Sequence, residues 1–498
     1  MLKIRRIDEK FLPNCARVII KPHIPKDEKR INNIIARILS LSEERVEQVL
    51  NRVSENFSHR HKNIWDAFDT HYNEIKGFIP YNIQMSNNRR ALLGAYFSCE
   101  YSIQAAAFFN PSIIAHPDQS GVDKDSLRFI LSFRSVGEGH ISSIEFRSGI
   151  VDKNCEFIFD KPSHYAEKAN IASNPVYDKT TFFLKLAEMQ KPENIISKMV
   201  YELLPDEFLL SDLTGVLEMI IDSEHKDVGE NMMWLAKSNY ELQFKLEQEL
   251  SEKIIFPASQ NDSNGIEDAR FVRFVDDDGS VTYYATYTAY NGHNILPQII
   301  ETKDFLTFKM ITLNGEFSKN KGMALFPRKI NGKYMMISRV DGENLYLMSS
   351  DNIHFWQSAE ILKVPENSWE FVQIGNCGSP IETEQGWILL THGVGPMREY
   401  SIGVILLDIE NPAKIIGNMS EPLLRCNQDE REGYVPNVVY SCGAILHNNN
   451  LIMPYAMSDT CSGIATVPLS DLFNNMSPMQ EPHRCQTEFV LKSPTMRS

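Results

Sequence analysis

Apolar residues at helical spacing dominate the chain between residues 25 and 105. One apolar stripe runs through two consecutive predicted helices, the second of which begins after a capping Ser42. Its members are Ile31, Ile34, Ile35, Ile38, Leu39, Val46, Val49, Leu50 and Val53. A further segment, residues 89–109, is rich in Ala, Leu and Phe and predicts a buried helix. Such stripes are typical of packing surfaces, so residues 1–105 are predicted to form a helical N-terminal extension.

The pattern changes to alternation after Asn110. Residues 127–134 alternate with the period of a strand, residues 137–140 form a turn, and residues 141–147 predict a second strand. Helical spacing returns between about 178 and 250, and strands are predicted for almost all of residues 254–472. The sequence therefore predicts a mainly β protein with a helical insertion at about 178–250 and a C-terminal tail at 476–498.

The β-rich part repeats one unit five times. In each copy a buried strand ends at a polar or aromatic residue and is followed by another strand. The residues at the ends of these first strands are Arg134, Tyr287, Arg339, His392 and Tyr455. The last four lie roughly 52 to 63 residues apart, a spacing typical of propeller blades. We predict a five-bladed β-propeller over residues 106–475, with the helical insertion after the first blade.

Equivalent residues of successive blades meet around the central channel of a propeller. The five residues that end the first strands are therefore expected to form a ring of two arginines, one histidine and two tyrosines. Each of them singly also fits a structural role, because surface arginines, core histidines and packed tyrosines are common.

The segment at residues 264–270 carries the strongest candidate chemistry. A turn at Gly265 leads two adjacent carboxylates, Glu267 and Asp268, and then Arg270 into a β-branched and aromatic run. One interpretation is a polar hairpin corner with a surface ion pair between Asp268 and Arg270. The other is a catalytic site, in which Glu267 would raise the pKa of Asp268 by like charge and Arg270 would oppose that.

Composition and charge narrow the functional classes. The 498 residues, 43% of them hydrophobic and 23% charged, are those of an ordinary globular protein. A formal net charge of -15 argues against nucleic acid as a partner. Eight cysteines without CxxC pairs or histidine spacing predict reduced thiols, with no metal. No signal peptide and no apolar run of about 18 residues is present, which predicts a cytoplasmic protein without a membrane partner.

Several motifs, in one order along residues 106–475, resemble glycoside hydrolase family 130. They are Asn110-Pro111 before Arg134, Gly265-Ile-Glu-Asp-Ala-Arg270, Ala324-Leu-Phe-Pro327, Ser379-Pro-Ile-Glu-Thr383 with Gly386-Trp387 and His392-Gly393, and Val435-Pro-Asn-Val438 with Asp459-Thr460. The resemblance implies a five-bladed propeller that cleaves β-mannosides with inversion. Most members use inorganic phosphate, and a minority use water. The implied partners are an oligosaccharide and phosphate as co-substrate, with no cofactor.

The resemblance also implies roles for individual residues. Asp268 is expected to be the general acid, whose proton reaches the departing oxygen through the 3-hydroxyl of the sugar. The expected phosphate-binding residues are Lys321, Arg339, His392 and Tyr400. Together with the repeat register and the 264–270 segment, it suggests as substrate-binding residues Asn110, Arg134, Glu267, Arg270, Tyr287 and Asp459.

Three positions depart from the family pattern. Lys321 stands where many phosphorylases have an arginine, Glu382 where some have a lysine, and Ala269 where proline is commoner. Lysine can still bind phosphate, whereas a glutamate would repel it.

The sequence leaves the reaction open. A phosphorylase needs one carboxylic acid, whereas an inverting hydrolase needs a second carboxylate about 6.5–9.5 Å from the first. The candidates for that base are Glu430, Glu432 and Glu370, and each also fits a solvated loop charge. A propeller that binds carbohydrate or protein without catalysis is a further alternative. The helical additions could cap the channel, build an acceptor subsite or form a homo-oligomer interface.

Overall fold

The structure is a computed structural model that describes residues 4–172, 176–189, 195–221, 225–292 and 295–478. Most of the predicted C-terminal tail, including Cys485, lies outside the described residues. The described chain is mainly β, with helices concentrated before the first large sheet and in one insertion. Within these ranges no helix is long and apolar enough to cross a membrane.

The N-terminal part is helical between two short paired strands. Its elements are β1 (Arg5–Arg6), β2 (Val18–Pro22), α1 (Glu28–Leu39), α2 (Glu43–Phe57), α3 (Ile64–Ile75), α4 (Asn87–Tyr96) and β3 (Ser98–Ser102). The side chain of Ser42 accepts a hydrogen bond from the backbone N–H of Arg45, which confirms the predicted cap of α2. The predicted apolar stripe is buried against Leu92, Leu93 and Phe97.

The prediction of one buried helix over residues 89–109 is wrong. Helix α4 ends at Tyr96, β3 pairs antiparallel with β2, and a further strand begins at Ala107. A short apolar run fits a buried strand as well as a buried helix, and pairing with a partner strand decides between them.

The first sheet of the β-rich part is followed by the helical insertion. The strands of the sheet are β4 (Ala107–Ala115), β5 (Leu127–Val136), β6 (Ser142–Val151) and β7 (Phe157–Phe159). The next elements are β8 (Glu167–Lys168), β9 (Asn170–Ala172), β10 (Val176–Asp178), α5 (Lys179–Met189), α6 (Ile195–Leu203), β11 (Glu207–Leu209), α7 (Leu210–Ile220), α8 (Lys226–Ser238) and β12 (Tyr240–Gln243). The predicted helix extends only to Ser238, because residues 240–243 pair with a later strand of the sheet.

Most of the remaining strands form four further antiparallel groups. The remaining elements follow in chain order. They are β13 (Lys253–Ile255), β14 (Gly265–Val275), β15 (Val281–Tyr290), β16 (Ile295–Thr302), β17 (Thr307–Thr312), β18 (Ala324–Leu325), β19 (Tyr334–Ser338), β20 (Leu345–Ser350), β21 (Ser358–Lys363), β22 (Gln373–Asn376), β23 (Ile381–Thr383), β24 (Gly386–Val394), β25 (Tyr400–Leu407), β26 (Ile415–Asn418), β27 (Val439–Tyr440), β28 (Ile445–His447), β29 (Asn450–Met457), β30 (Cys461–Pro468), α9 (Leu469–Asn474) and β31 (Ser477–Pro478). The first strand of each predicted repeat is confirmed as β5, β15, β19, β24 and β29.

Five groups of strands follow one another along the described chain: β4–β7, β14–β17, β18–β21, β22–β26 and β27–β30. The first two groups join in one large sheet through the contact of β6 with β14, and β1 pairs with β30 at the edge of the last group. Apolar clusters pack each group against the next. Another cluster packs β5 in the first group against Ile452 and Ile464 in the last. The groups therefore contact one another in a closed order.

Candidate active site

Two interruptions of strand pairing bring Asn110 and Asp268 together. The pairing of β14 with β15 shifts between Glu267 and Arg270, and that of β4 with β5 shifts between Phe109 and Ser112. Asp268 and Asn110 have φ angles of 55° and 48°, a left-handed conformation that is uncommon outside glycine. Nδ2 of Asn110 donates to Oδ1 of Asp268 at 2.7 Å. Such bulges re-aim side chains and occur often beside active sites.

Glycine is required at the start of β14. Gly265 has a φ of 140°, and a Cβ there would lie 2.8 Å from the backbone nitrogen of Ser142. The absent side chain allows β14 to begin directly against β6, which places the bulge and Asp268.

Asp268 and Asn110 line a cavity of about 180 Å³. The other lining residues are Arg134, Lys321, Gly322, Arg339, Gln373, Gly375, Asn376, His392, Arg398, Tyr400, Val435, Val438, Tyr440 and Asp459. Four of the lining side chains are Lys or Arg, whereas only two are carboxylates. The excess of positive charge in the described part of the cavity therefore suits the binding of an anion beside its two carboxylates.

Cations control the ionisation of Asp268. Burial raises the pKa of the Asp268 carboxyl, whereas the charge of Arg134 and the hydrogen bond from Asn110 lower it. The lowering effects win, with help from Arg270 and Lys321, so the pKa lies below its ordinary value of 3.8. The unliganded site thus holds Asp268 as a carboxylate at neutral pH.

Glu267 lies behind its neighbour and neutralises two of these cations. Its carboxylate pairs with Nη2 of Arg134 at 2.8 Å and with Nζ of Lys321 at 2.5 Å. Arg134 also lies 3.3 Å from Oδ1 of Asp268 through Nη1. Glu267 does not line the cavity, and it holds Arg134 and Lys321 in place.

A second group of cavity side chains surrounds Arg339. Nη1 of Arg339 lies 3.4 Å from Nε2 of His392, and Nδ1 of His392 lies 3.1 Å from the carbonyl oxygen of Asn376. A carbonyl only accepts, so Nδ1 carries the proton and Nε2 accepts from Arg339. Burial lowers the pKa of His392 well below its ordinary value of 6.5, and Arg339 and Arg270 lower it further. His392 is therefore a neutral residue that positions Arg339.

Buried polar atoms without hydrogen-bond partners occur both near Asp268 and near Arg339. Within the described part of the chain, Oδ1 of Asn110 and the Nε atoms of Arg134 and Arg339 are buried and have no hydrogen-bond partner. Buried polar groups are normally paired, so these atoms are expected to bind ligand or water.

Arg270 lies behind the cavity. Its Nη1 donates to the carbonyl oxygen of Asn376 at 2.8 Å and to its Oδ1 at 2.5 Å, and its Nη2 donates to the hydroxyl of Tyr440 at 2.5 Å. Arg270 is 2% exposed. Arg270 therefore orients the side chains of Asn376 and Tyr440, whereas the sequence predicted that Arg270 contacts the substrate.

The predicted five-residue ring is reduced to Arg134, Arg339 and His392. Tyr287 donates its hydroxyl to Gln298 and packs in the cluster between the first two groups of strands. Tyr455 donates to Oε1 of Glu430 at 2.7 Å and packs between the last two groups. Neither tyrosine lines the cavity. Successive side chains of a strand point to opposite faces of the sheet, so a difference of one residue in the alignment of two repeats turns a side chain away from the cavity.

The three glutamates considered as a second carboxylate lie outside the cavity lining. Glu370 is 1% exposed, and its Oε1 accepts from the backbone N–H groups of Glu366 and Asn367. Glu430 is bound by Arg6 and Tyr455, and Glu432 is exposed. Glu370 and Glu430 are therefore committed to structural contacts.

Sequence reasoning missed Gln373, Asn376, Arg398 and Tyr440, all of which line the cavity. Arg398 ends a short turn that follows β24, and its φ of 59° is left-handed. The Gly395-Pro396 pair was a signal for this turn. The other three lie on the short strands β22 and β27, which carry no periodic pattern.

Asp459 is the second carboxylate of the cavity lining. Its φ is 52°, and it lies in the tight connection between β29 and β30. Burial, together with the charge of Asp268, raises the pKa of Asp459 to about 6, and Arg134 and Arg398 only partly oppose this. The pair Asp268 and Asp459 thus has divergent pKa values, as is common in active sites.

Replacing Asp459 with asparagine should stabilise the fold at neutral pH but not at acidic pH. The folded-state pKa is raised from 3.8 to about 6, so the wild type loses stability as pH rises through about 6. The variant avoids this loss, which amounts to up to about 3 kcal/mol. Thermal unfolding of both proteins between pH 4 and 8 measures the difference. Equal differences in Tm at all pH values would contradict the raised pKa.

The described residues contain no group of three or more His, Cys, Asp and Glu side chains arranged to hold a metal ion. The donors around Arg339 instead suit an oxyanion, because guanidinium, amide and phenol groups supply strong hydrogen bonds to one.

Known proteins resemble this chain over much of the β-rich part. A profile described as "beta-1,4-mannooligosaccharide phosphorylase" matches residues 216–478, which is more than half of the chain. The chain belongs to glycoside hydrolase family 130. A 1,2-beta-oligomannan phosphorylase from Thermoanaerobacter sp. is 33% identical over 230 residues, which cover 45% of this chain and 75% of that protein.

Further similarities involve two mannobiose phosphorylases and one solved structure. A beta-1,2-mannobiose phosphorylase of Listeria innocua is 28% identical over 237 residues, covering 46% of this chain and 64% of the relative. A beta-1,2-mannobiose phosphorylase of Thermoanaerobacter sp. is 36% identical over 209 residues, covering 41% and 67%. A solved structure of the Listeria enzyme with beta-1,2-mannobiose aligns with a TM-score of 0.43 at 20% identity, covering 74% of this chain and 92% of that chain.

The three departures from the family 130 pattern have simple structural settings. Lys321 lines the cavity and pairs with Glu267. Glu382 pairs with Arg328 at 2.8 Å and is absent from the cavity lining, so the expected repulsion of phosphate does not arise there. Ala269 is 5% exposed and packs in the core between the first two groups.

Replacing Glu430 with glutamine should weaken the fold more than catalysis. Glu430 accepts from Nε of Arg6 at 2.8 Å, and burial raises its pKa while Arg6 and Tyr455 lower it below 4.5. Loss of this charged pair should cost about 1.5–3 kcal/mol of unfolding free energy. The value of kcat should fall less than about tenfold, whereas loss of a catalytic base costs about 10²–10⁴-fold. Chemical unfolding and initial rates measure the two effects, and a loss of kcat in that larger range would contradict this assignment.

Proposed function

We propose that this family 130 protein cleaves β-mannosidic bonds with inorganic phosphate and releases α-mannose 1-phosphate with inversion. The observation that carries the proposal is the cavity in which the acid Asp268 faces a lining rich in cations and hydrogen-bond donors. Phosphorylase relatives at 33% and 36% identity support it.

Asp268 supplies the proton in this reaction. A phosphate oxygen attacks C1 of the mannosyl residue, and the bond from C1 to the glycosidic oxygen breaks. The departing oxygen takes a proton from the sugar's 3-hydroxyl, which is replenished by Asp268. Asn110 holds Oδ1 of Asp268 and, through its own unpaired Oδ1, can accept from a sugar hydroxyl.

Arg339, Tyr400 and Arg398 bind the phosphate. The unpaired Nε of Arg339 supplies one donor. Tyr400 and Gln373 line the same cavity with the hydroxyl and Nε2 3.5 Å apart and supply others, and Arg398 adds a positive charge. Charge-assisted hydrogen bonds of this kind are about twice as strong as neutral ones. His392 acts through Arg339, whose guanidinium it orients.

Arrival of phosphate also prepares Asp268 for its role as an acid. The free site keeps the pKa of Asp268 low because Arg134 and other cations favour the carboxylate. A phosphate dianion placed among the cavity cations opposes that effect, because a nearby negative charge favours the protonated carboxyl. Protonation of Asp268 and binding of phosphate therefore support each other.

The substrate proposed first is β-1,2-mannobiose or a longer β-1,2-mannoside. The relatives from Thermoanaerobacter and Listeria are named for β-1,2-linked substrates. A further relative from Ruminococcus albus, 30% identical over 213 residues, is named for β-1,4-mannooligosaccharides. A β-1,4-mannobiose comparison is therefore part of the assay.

The proposed architecture is a five-bladed β-propeller. The closed order of packing clusters supports it, since the first group of strands packs on both the second and the last. The pairing of β1 with β30 supports it further, because an N-terminal strand then completes the last blade. Of the three roles considered for the helical additions, we propose the homo-oligomer interface, because Ile195 and Leu203 on α6 are exposed.

A cytoplasmic location remains a proposal. The described cysteines are free, which suits a reducing compartment.

Hydrolysis is not favoured over phosphorolysis. The glutamates proposed as its base do not line the cavity, and the relatives at 33% and 36% identity are named as phosphorylases. Non-catalytic binding is not favoured either, because the acid lies in a cavity with unpaired polar groups.

The proposal is tested by incubating the protein with β-1,2- and β-1,4-mannobiose, with and without inorganic phosphate. We expect mannose 1-phosphate and mannose only when phosphate is present. Release of mannose at the same rate without phosphate would replace the proposal with hydrolysis, and binding without any product would replace it with a non-catalytic role.

A further inference from the structure

A second cavity lies outside the candidate active site and shares no lining residue with it. Its volume is about 470 Å³, which lies in the range of about 300–1,000 Å³ typical of small-molecule sites. The N-terminal segment at residues 9–17, strands β4 and β6, and the loop at residues 159–164 surround it.

The floor of this cavity is a buried charged network with one extra positive charge. Arg17 and Arg147 are 4% and 7% exposed, and the carboxylate between them, Glu145, is fully buried. Nε of Arg17 donates to Oε2 of Glu145 at 3.0 Å, and Nε2 of Gln104 donates to both its oxygens. One carboxylate thus serves two guanidinium groups.

Within the described residues, each of the three guanidinium nitrogens of Arg17 donates a hydrogen bond, whereas only Nη1 of Arg147 does. The two terminal nitrogens of Arg17 donate to the carbonyl oxygens of Ser163 and Ser251 at 2.6 and 2.7 Å. Arg147 donates from Nη1 to the carbonyl of Phe146 at 2.7 Å, and its Nη2 lies 3.6 Å from Glu145, beyond hydrogen-bond length. Burial lowers the pKa of Arg147 to about 10, and Glu145 only partly opposes this.

Aromatic and apolar groups form the walls. Phe11 and Phe159 contact each other edge to face with ring centroids 5.2 Å apart, and the guanidinium of Arg147 lies 4.8 Å from the ring centroid of Phe108. Leu12 is 63% exposed at the entrance. Such walls suit the apolar face of a sugar ring.

The rim adds further charges of both signs. Lys10 and Lys161 are exposed on it, and so are Glu9 and Asp160, the latter accepting from the hydroxyl of Ser148 at 2.6 Å. These rim charges cancel formally, so the buried floor determines the preference for an anion.

We propose that this cavity is a second binding site for a hexose phosphate, with the phosphoryl group on Arg147 and the sugar ring against Phe11 and Phe159. The guanidinium of Arg147 supplies the recognition of the oxyanion, because guanidinium groups bind phosphate through paired N–H donors. The choice of α-mannose 1-phosphate as the hexose phosphate to test rests on the proposed function. The argument that the cavity binds an anion does not depend on that function.

The test measures binding of α-mannose 1-phosphate by calorimetry in two backgrounds. In the wild type we expect two binding events. In Arg339→Met, where active-site binding is weakened, binding at the second cavity should remain, and adding Arg147→Met should weaken it about tenfold or more. Unchanged binding in the double variant, or a single event in the wild type that Arg339→Met removes, would overturn the proposal.

A second variant keeps the test decisive if Arg147→Met does not fold. Leu12→Trp fills the exposed entrance without altering the charged floor and should also weaken binding, whereas Leu246→Trp, at a position 82% exposed elsewhere, should not. Mannose and inorganic phosphate serve as probes, and each should bind the cavity more weakly than the hexose phosphate. Equal binding of inorganic phosphate would overturn the sugar part of the proposal.

Phosphorolysis assays of the same preparations separate the two proposals. Arg147→Met should retain phosphorolysis, because Arg147 does not line the active-site cavity. Second-site binding without phosphorolysis would overturn the proposed function alone. Phosphorolysis without second-site binding would overturn the cavity proposal alone.

Discussion

Replacing Asp268 with asparagine should lower kcat for phosphorolysis of a β-mannobiose by about 10²–10⁴-fold. The amide keeps an oxygen that accepts from Asn110 and leaves the bulge of β14 intact, so the fold should be preserved. It cannot release a proton to the sugar's 3-hydroxyl. Initial rates at saturating mannobiose and phosphate measure the effect, and thermal unfolding checks the fold.

A good leaving group sharpens this test. The nitrophenolate of a nitrophenyl β-mannoside departs as a stable anion and needs little protonation, so the rate with this substrate should fall much less in Asp268→Asn. Asp278→Asn, in the turn at the far end of the same hairpin, is the matched control and should behave as the wild type. Full activity of Asp268→Asn on mannobiose, or equal loss with both substrates, would contradict its role as the acid.

Replacing Arg339 with methionine should raise KM for phosphate by about tenfold to a hundredfold. The guanidinium offers a buried, unpaired Nε and a charge to the cavity, and a hydrogen bond to a charged group is worth about 1.5–3 kcal/mol. Each 1.4 kcal/mol corresponds to about tenfold in binding. Initial rates over a range of phosphate concentrations, with mannobiose saturating, measure the change.

The matched control is Arg328→Met. Arg328 lies between β18 and β19 in the same group of strands, but its guanidinium pairs with Glu382 and does not line the cavity. Its KM for phosphate should equal that of the wild type. If Arg339→Met altered KM for the mannoside while leaving KM for phosphate unchanged, the assignment of Arg339 to phosphate would be wrong.

The repeating strands could be predicted because each copy of the unit carries a buried strand that ends at a polar or aromatic residue. Strands β5, β15, β19, β24 and β29 were found in this way. The helix ends were less predictable, since the sequence of residues 97–109 and 240–243 fits either a helix or a strand. Pairing with β2, β5 and β17 decides their structure, and these partners lie far away in the sequence.

Part of the site could be predicted from sequence motifs. Asp268, Asn110 and Arg339 come from recognisable motifs, and the structure places all three in the cavity. The pKa of Asp268 could not be predicted, because its strongest cationic influence is Arg134 and not the neighbouring Arg270. The left-handed turn that presents Arg398 lies outside the repeated strands, so the repeat carried no information about it.

The identity of the nucleophile is tested most directly by supplying phosphate fully labelled with ¹⁸O together with β-1,2-mannobiose in ordinary water. Mass spectrometry of the products reports which oxygen is bonded to C1. We predict α-mannose 1-phosphate that retains every labelled oxygen, including the one that bridges phosphorus and carbon. Unlabelled mannose as the product from the cleaved residue, formed at a rate independent of phosphate, would contradict phosphorolysis.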